Sequence, residues 1–206
     1  MKNLLRFTLI VCLMFSITNM QAQIKFGPAL GLNLSTMKVK SNLGDLYPKT
    51  IVGFNVGVIS EFSLTSNLFL QPALLFSIKG SKFTITGEGE TDTPSFIEIP
   101  VNVVYKFGSG STKFFLNAGP YFAYGIGGKI KWEGESDKIK FGSGENDDYK
   151  AFDYGLNLGA GGEIDNFIIS AHYELGLANL MPGGDANDKL NNRVIGLSIG
   201  YLFGKK

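Results

Sequence analysis

Beyond residue 23 the chain alternates. Apolar and polar residues exchange places at a period of two through eight segments, near 26–34, 52–64, 68–78, 97–107, 114–126, 152–164, 167–177 and 195–203. Successive side chains of a strand point to opposite faces, so this pattern commits each segment to a β-strand with one greasy face. No stretch beyond residue 23 approaches the roughly 18 continuous apolar residues of a spanning helix. If the mature chain crosses a membrane, it does so as a closed barrel, because only helices and closed barrels satisfy their backbone in lipid.

The apolar faces carry no charge. The opposite faces collect Gly, Asn and Ser together with Glu61, Lys79, Glu98, Lys106, Asp153, Glu163 and Glu174. Three features point the greasy face outward. Small and polar residues suit the narrow lumen of a small barrel. The faces hold five to seven residues each, matching the roughly 9–11 residues of a tilted membrane strand. Aromatics gather near strand ends, as Tyr105 and Phe107, Phe152 and Tyr154, Tyr201 and Phe203 do; interfacial girdles of this kind belong to membrane barrels. Glycine supports the same reading, at 27 of 206 residues against roughly 7% in ordinary proteins.

The connections alternate long and short. Residues 35–49, 79–95, 127–150 and 179–192 form the long ones; 65–67, 108–113 and 165–166 form the short ones. Outer-membrane barrels have short periplasmic turns and longer external loops. The expectation is an all-β, eight-stranded antiparallel up-and-down transmembrane β-barrel over 23–206, with both termini in the periplasm. Pro28, Pro72, Pro100 and Pro120 lie inside these strands. A closed barrel has no edge to hide them, so bulges or strand-end positions are expected there.

Residues 1–22 read as a secretory signal peptide. Lys2 and Arg6 supply the positive region, 7–17 the apolar core, and Ala22 the small residue before the cut. Cys12 lies inside the apolar core after bulky Val11, which argues against a lipoprotein. Losing Lys2 and Arg6 turns the net charge of +1 into −1 and removes the single Cys. That balance gives no support for nucleic-acid binding. One Cys and one His exclude a disulfide framework and a multi-His metal centre. No cofactor is implied.

The stretch Phe96-Ile97-Glu98-Ile99-Pro100-Val101-Asn102 resembles a strand of the PorT-like outer-membrane barrels of Bacteroidetes, small barrels of the OmpX/OmpA type. Asn117-Ala118-Gly119-Pro120-Tyr121, the Asp153–Gly161 run, Tyr173–Leu180 and the close from Asn192-Arg193 to Gly200-Tyr201-Leu202-Phe203 resemble the same family, in order along the mature chain. The resemblance implies an eight-stranded outer-membrane barrel of a Gram-negative bacterium. It implies little about activity, and no secretion role is carried over.

The inward charges are the candidate site. Glu61, Lys79, Glu98, Lys106, Glu163, His172 and Glu174 are expected to form a lumen network, because a buried charge must be paired or hydrated. Lys79 and Glu98 sit at the outer ends of neighbouring strands, a concrete pair. Lys106, Glu61 and Glu163 belong to the periplasmic end. His172 shares parity with Ser170 and Glu174, which raises an enzyme; all three face the lumen, away from lipid, and the reading is non-enzymatic. The acids Glu145, Asp147 and Asp148 match no calcium loop, and Trp132 lies in the same loop. The function expected is a monomeric membrane protein, structural or binding a protein or surface partner through its external loops, in contact with outer-membrane lipid. The alternatives are a narrow channel for small solutes and a soluble carrier with an apolar cavity.

Overall fold

The computed structural model describes residues 24–204, apart from 42, 43, 47, 86, 87, 133, 145, 185 and 186. The signal segment, Cys12, Glu145 and Asp185 lie outside the described residues.

Eleven strands follow one another, among the described residues, without a helix. They are β1 (Ile24–Ser41), β2 (Gly44–Leu46), β3 (Ile51–Ser63), β4 (Leu68–Ile78), β5 (Ser81–Ile85), β6 (Glu88–Phe107), β7 (Thr112–Trp132), β8 (Glu135–Lys138), β9 (Phe152–Ile164), β10 (Phe167–Gly176) and β11 (Lys189–Tyr201). Eight of them, β1, β3, β4, β6, β7, β9, β10 and β11, pair antiparallel with their sequence neighbours, and β11 closes on β1. The result is an eight-stranded antiparallel up-and-down β-barrel. Closure gives every wall strand a partner on both sides and removes the free edge.

The greasy faces point outward. Val52 is 70% exposed, Leu197 63% and Leu32 60%, and the alternate residues Asn33, Asn55, Glu98 and Asp153 are buried inside. Aromatic rings band the wall twice. Near the short turns Phe167, Tyr201, Phe203 and Phe26 touch in succession, as do Tyr105, Phe107 and Phe114. Nearer the long loops Phe122, Phe152 and Tyr154 do the same.

The short connections are 64–67, 108–111 and 165–166. The last is a two-residue turn with Asp165 at φ 54°. Gly108 and Gly110 take the left-handed conformations the second turn needs, at φ 107° and 76°.

Two expectations are corrected. The long connections are less irregular than their composition suggests. Strands β1, β6 and β7 run past the wall, and β2, β5 and β8 fold back onto them as hairpins. Trp132 is therefore a strand residue, not a loop residue. Polar alternation such as Thr91-Asp92-Thr93 builds strand as well as apolar alternation does. The prolines create no bulge. Register holds from Pro72↔Val101 to Leu75↔Glu98, and from Pro100↔Tyr121 to Val103↔Ala118; only the ladder pairs between are missing. Each proline costs local bonding without moving the strand. The register shift lies at Ser95/Phe96, where Ile126 of β7 is the extra residue. A one-residue slip flips every later side chain to the other face.

Candidate functional site

The lumen is filled in layers, and β6 traverses them all. Its inward residues include Asp92, Phe96, Glu98, Asn102, Val104 and Lys106 from the long-loop end to the short-turn end, and these six are buried.

At the long-loop end the chain between β8 and β9 crosses the mouth. Ile139 and Tyr149 are buried against Met37, Ala178, Leu180 and Leu190, with Phe83, Ile130 and Phe141 around them. β1 and β7 stand opposite each other in the ring, so the cap joins facing walls. Tyr149 donates its hydroxyl to Asp92, and Phe141 stacks edge-on against Phe96 at 5.8 Å. Burial holds the Asp92 carboxyl up at about 6; the Tyr149 hydrogen bond pulls the other way, and Glu90 and Asp148 add to the rise. Asp92 sits beyond the outward apolar band.

Beneath the cap lies the first charge layer. Lys79 is fully buried. Its ammonium pairs with Glu98 and with Glu174 at 2.6 Å, and lies 4.5 Å from the centre of the Tyr121 ring. Lys79 follows β4, and β10 is diametrically opposite in the ring, so this ammonium ties facing walls together. Asp153 accepts from Asn192 at 2.8 Å and from the Tyr121 hydroxyl at 3.3 Å. His172 Nε2 approaches Glu174 at 3.7 Å. Its ring lies opposite Gly159 in the ladder and over Gly196, where an added Cβ would stand 2.2 Å from the ring. Gly155 and Gly161 make the same room for Tyr121 and Phe115. Part of the glycine excess is thereby explained: these lumen rings need wall positions with no side chain.

Next comes a cavity of about 80 Å³ with mixed walls, Asn55, Asn102 and His172 among the polar ones and Ile59, Leu75 and Phe115 among the apolar ones. Below it Val104, Phe115, Ile168 and Leu202 close the lumen with apolar bulk, with Ile59 and Phe69 beside them. The last layer is the second charge cluster. Lys106 donates to Glu61 at 2.7 Å and to Glu163, and Lys25 reaches Glu163 at 3.4 Å. Gln71 also donates to Glu61, at 3.3 Å. These charges floor a vestibule of about 320 Å³ at the short-turn end.

The seven candidate residues therefore fall into two clusters rather than one network. Glu98, Lys79, Glu174 and His172 form the upper; Glu61, Lys106 and Glu163 form the lower. Lys25, Tyr121, Asp153 and Asn192 complete them. Period two extended by one step from Phe26 marks Lys25, and the same parity on β7 marks Tyr121. The same parity marks the inward apolar residues Phe96, Val104, Phe115 and Leu202, which a search for charged and polar side chains passes over. Ser170 and His172 form no hydrogen bond with each other, and Ala171 and Tyr173 face outward. No described group of His, Cys, Asp or Glu is arranged to hold a metal ion.

Among solved structures, the chain is similar to Ail, the attachment invasion locus protein of Yersinia pestis, at 16% identity over 88% of this chain and 99% of that one, with a TM-score of 0.45. It is similar to Neisserial surface protein A at 12% identity, over 85% and 97% of the two chains, TM-score 0.46. It is also similar to the outer membrane enzyme PagL at 14% identity, over 81% and 97%, TM-score 0.39. Likeness at this level does not choose among roles. No curated protein matches the sequence. The profile of the outer membrane protein beta-barrel domain family matches residues 19–181, and the chain belongs to that family.

Proposed function

We propose that the protein is a closed, non-enzymatic, monomeric barrel of the PorT-like type, set in the outer membrane of a Gram-negative bacterium of the Bacteroidetes. Residues 1–22 serve as its export signal. Both termini lie in the periplasm, and the long-loop end, facing out, meets a protein or surface partner. One observation carries this reading: the lumen is blocked from end to end. An apolar cap, a buried ion-pair layer, an apolar floor and a second ion-pair layer lie in series. Eight strands leave an interior that side chains can fill. The space between the layers is small, about 80 Å³, which suits neither a solute path nor an apolar cargo. The ordered PorT-like motifs support the family reading. The lumen-facing Ser170, His172 and Glu174, unreachable by lipid, support the non-enzymatic one.

Planar-bilayer recording tests the closure. The purified barrel, identified by faster gel mobility before boiling, is expected to show no discrete conductance; regular steps would favour the narrow channel instead. Orientation is read in whole cells with a membrane-impermeant maleimide, the mature chain having no Cys of its own. Ser136→Cys at the long-loop end is expected to label and Ser111→Cys at a short turn is not. The reverse result would invert the topology.

A further inference from the structure

We propose that the outward face of the β7–β8 hairpin, carrying Lys129, Lys131 and Lys138, is a docking surface for the phosphate-bearing headgroup of a membrane lipid. Orientation decides only which leaflet supplies that lipid.

The bulge at Ile126 creates the surface. Below it the even-numbered residues of β7, Phe122, Tyr124 and Ile126, face out. The extra residue inverts the alternation above it. Ile130 turns inward and packs into the cap, and Lys129 and Lys131 emerge on the outer face, both exposed. Lys138 is the direct cross-strand partner of Lys129, so it shares that face and is also exposed. On the other side Thr93 and Thr91 of β6 pair with Lys129 and Lys131. Without the bulge both β7 lysines would point into the cap.

The hairpin thus sorts its charges. Lys129, Lys131 and Lys138 occupy the outer face. Glu90, Glu135 and Asp137 pair with Trp132 and Ile130 and share the opposite face. None of the three lysines forms an ion pair with a described residue. Like charges directly opposite in a ladder repel, so Lys129 and Lys138 hold a destabilising arrangement that an anion between them would relieve.

Ile126 is the last apolar outward residue of β7 and is 53% exposed. Lys129 follows three residues later, about 8–10 Å along the strand. Headgroups occupy roughly 5–8 Å beyond each side of the hydrocarbon core. The lysines therefore stand where lipid phosphates lie, and their long stems reach down along the apolar wall to meet them.

The test uses the whole purified barrel in mixed micelles holding equal amounts of phosphatidic acid and phosphatidylcholine, with bound lipid counted by native mass spectrometry. Wild type is expected to retain phosphatidic acid about tenfold over phosphatidylcholine, each lysine near an anionic surface contributing a factor of about five at most. K129Q/K131Q/K138Q is expected to bring the ratio near one with the unboiled gel shift intact, K129R/K131R/K138R to keep the preference, and K40Q/K113Q/K189Q, on the far wall and at the short-turn end, to keep it too. A wild-type ratio near one, preference surviving in the glutamine triple, or equal loss in the control triple would overturn the proposal. None of these outcomes depends on the barrel's orientation in cells.

Discussion

Lys79→Ala is the perturbation that probes the lumen most directly. The side chain is 0% exposed and is the only Lys or Arg, among the described residues, that pairs with Glu98 and Glu174. Removing it leaves two buried carboxylates without a counter-charge, with Asp153 nearby. Breaking a buried pair by deleting one partner costs about 3–5 kcal/mol, because the remaining charge is uncompensated. For a chain of this size each kcal/mol shifts the unfolding midpoint by about 2–4 °C, so a fall of about 6–20 °C is expected. Lys82→Ala, on the exposed side of β5, should leave the midpoint within about 2 °C. The assay is the temperature at which the fast unboiled gel band disappears, read for both variants in one detergent. Lys79→Ala combined with Glu98→Gln and Glu174→Gln should recover part of the loss, since the stranded charges are then gone. Equal midpoints for Lys79→Ala and Lys82→Ala would refute the reasoning: the ammonium would then be hydrated, and the pairing without energetic consequence.

Leu197 pairs with Leu32 on the outer wall, and Leu197→Arg should cost about 2–4 kcal/mol in a bilayer; urea unfolding in vesicles showing no change would mean this face does not meet lipid. Gly196→Ala places a Cβ against the His172 ring and should cost about 1–3 kcal/mol by overpacking. Adding His172→Ala should relieve that cost, and a double variant no better than the single would show that the ring is not the obstacle. The cap should respond to pH. Asp92 titrates at about 6 in the fold, above the ordinary 3.8, so it favours the folded cap fully below about pH 4 and loses that contribution as pH rises through about 6. Hydrogen exchange at residues 139–150 should speed up between pH 4 and 7, once corrected for intrinsic rates, and Asp92→Asn should flatten that change; a profile identical in both would assign the response to other groups.

Much of this arrangement was legible in the sequence, because a strand has only two faces. The parity of Glu98, Lys106, Glu163 and Glu174 placed each inside, and the adjacency of two segments placed Lys79 beside Glu98. The strand extensions were less legible. Their alternation is polar, and a reading keyed to apolar faces takes it for loop. The inward Phe96, Val104, Phe115 and Leu202 were also missed: parity placed them inside, but a reading keyed to charge did not look for apolar bulk on the polar face.

Local alternation by itself determined the strands, the greasy outer wall and the alternation of short turns with long connections. Period two acts residue by residue and needs no partner. Closure decided the rest. Glu174 meets Lys79, and Lys106 meets Glu61 and Glu163, only because a ring of eight brings distant strands face to face across a narrow lumen. The extra residue at Ile126 shows as an interruption of register only against β6, and from there it determines which side of the hairpin the lysines take. Both follow from pairing between strands far apart in the chain, which no pattern along one segment contains.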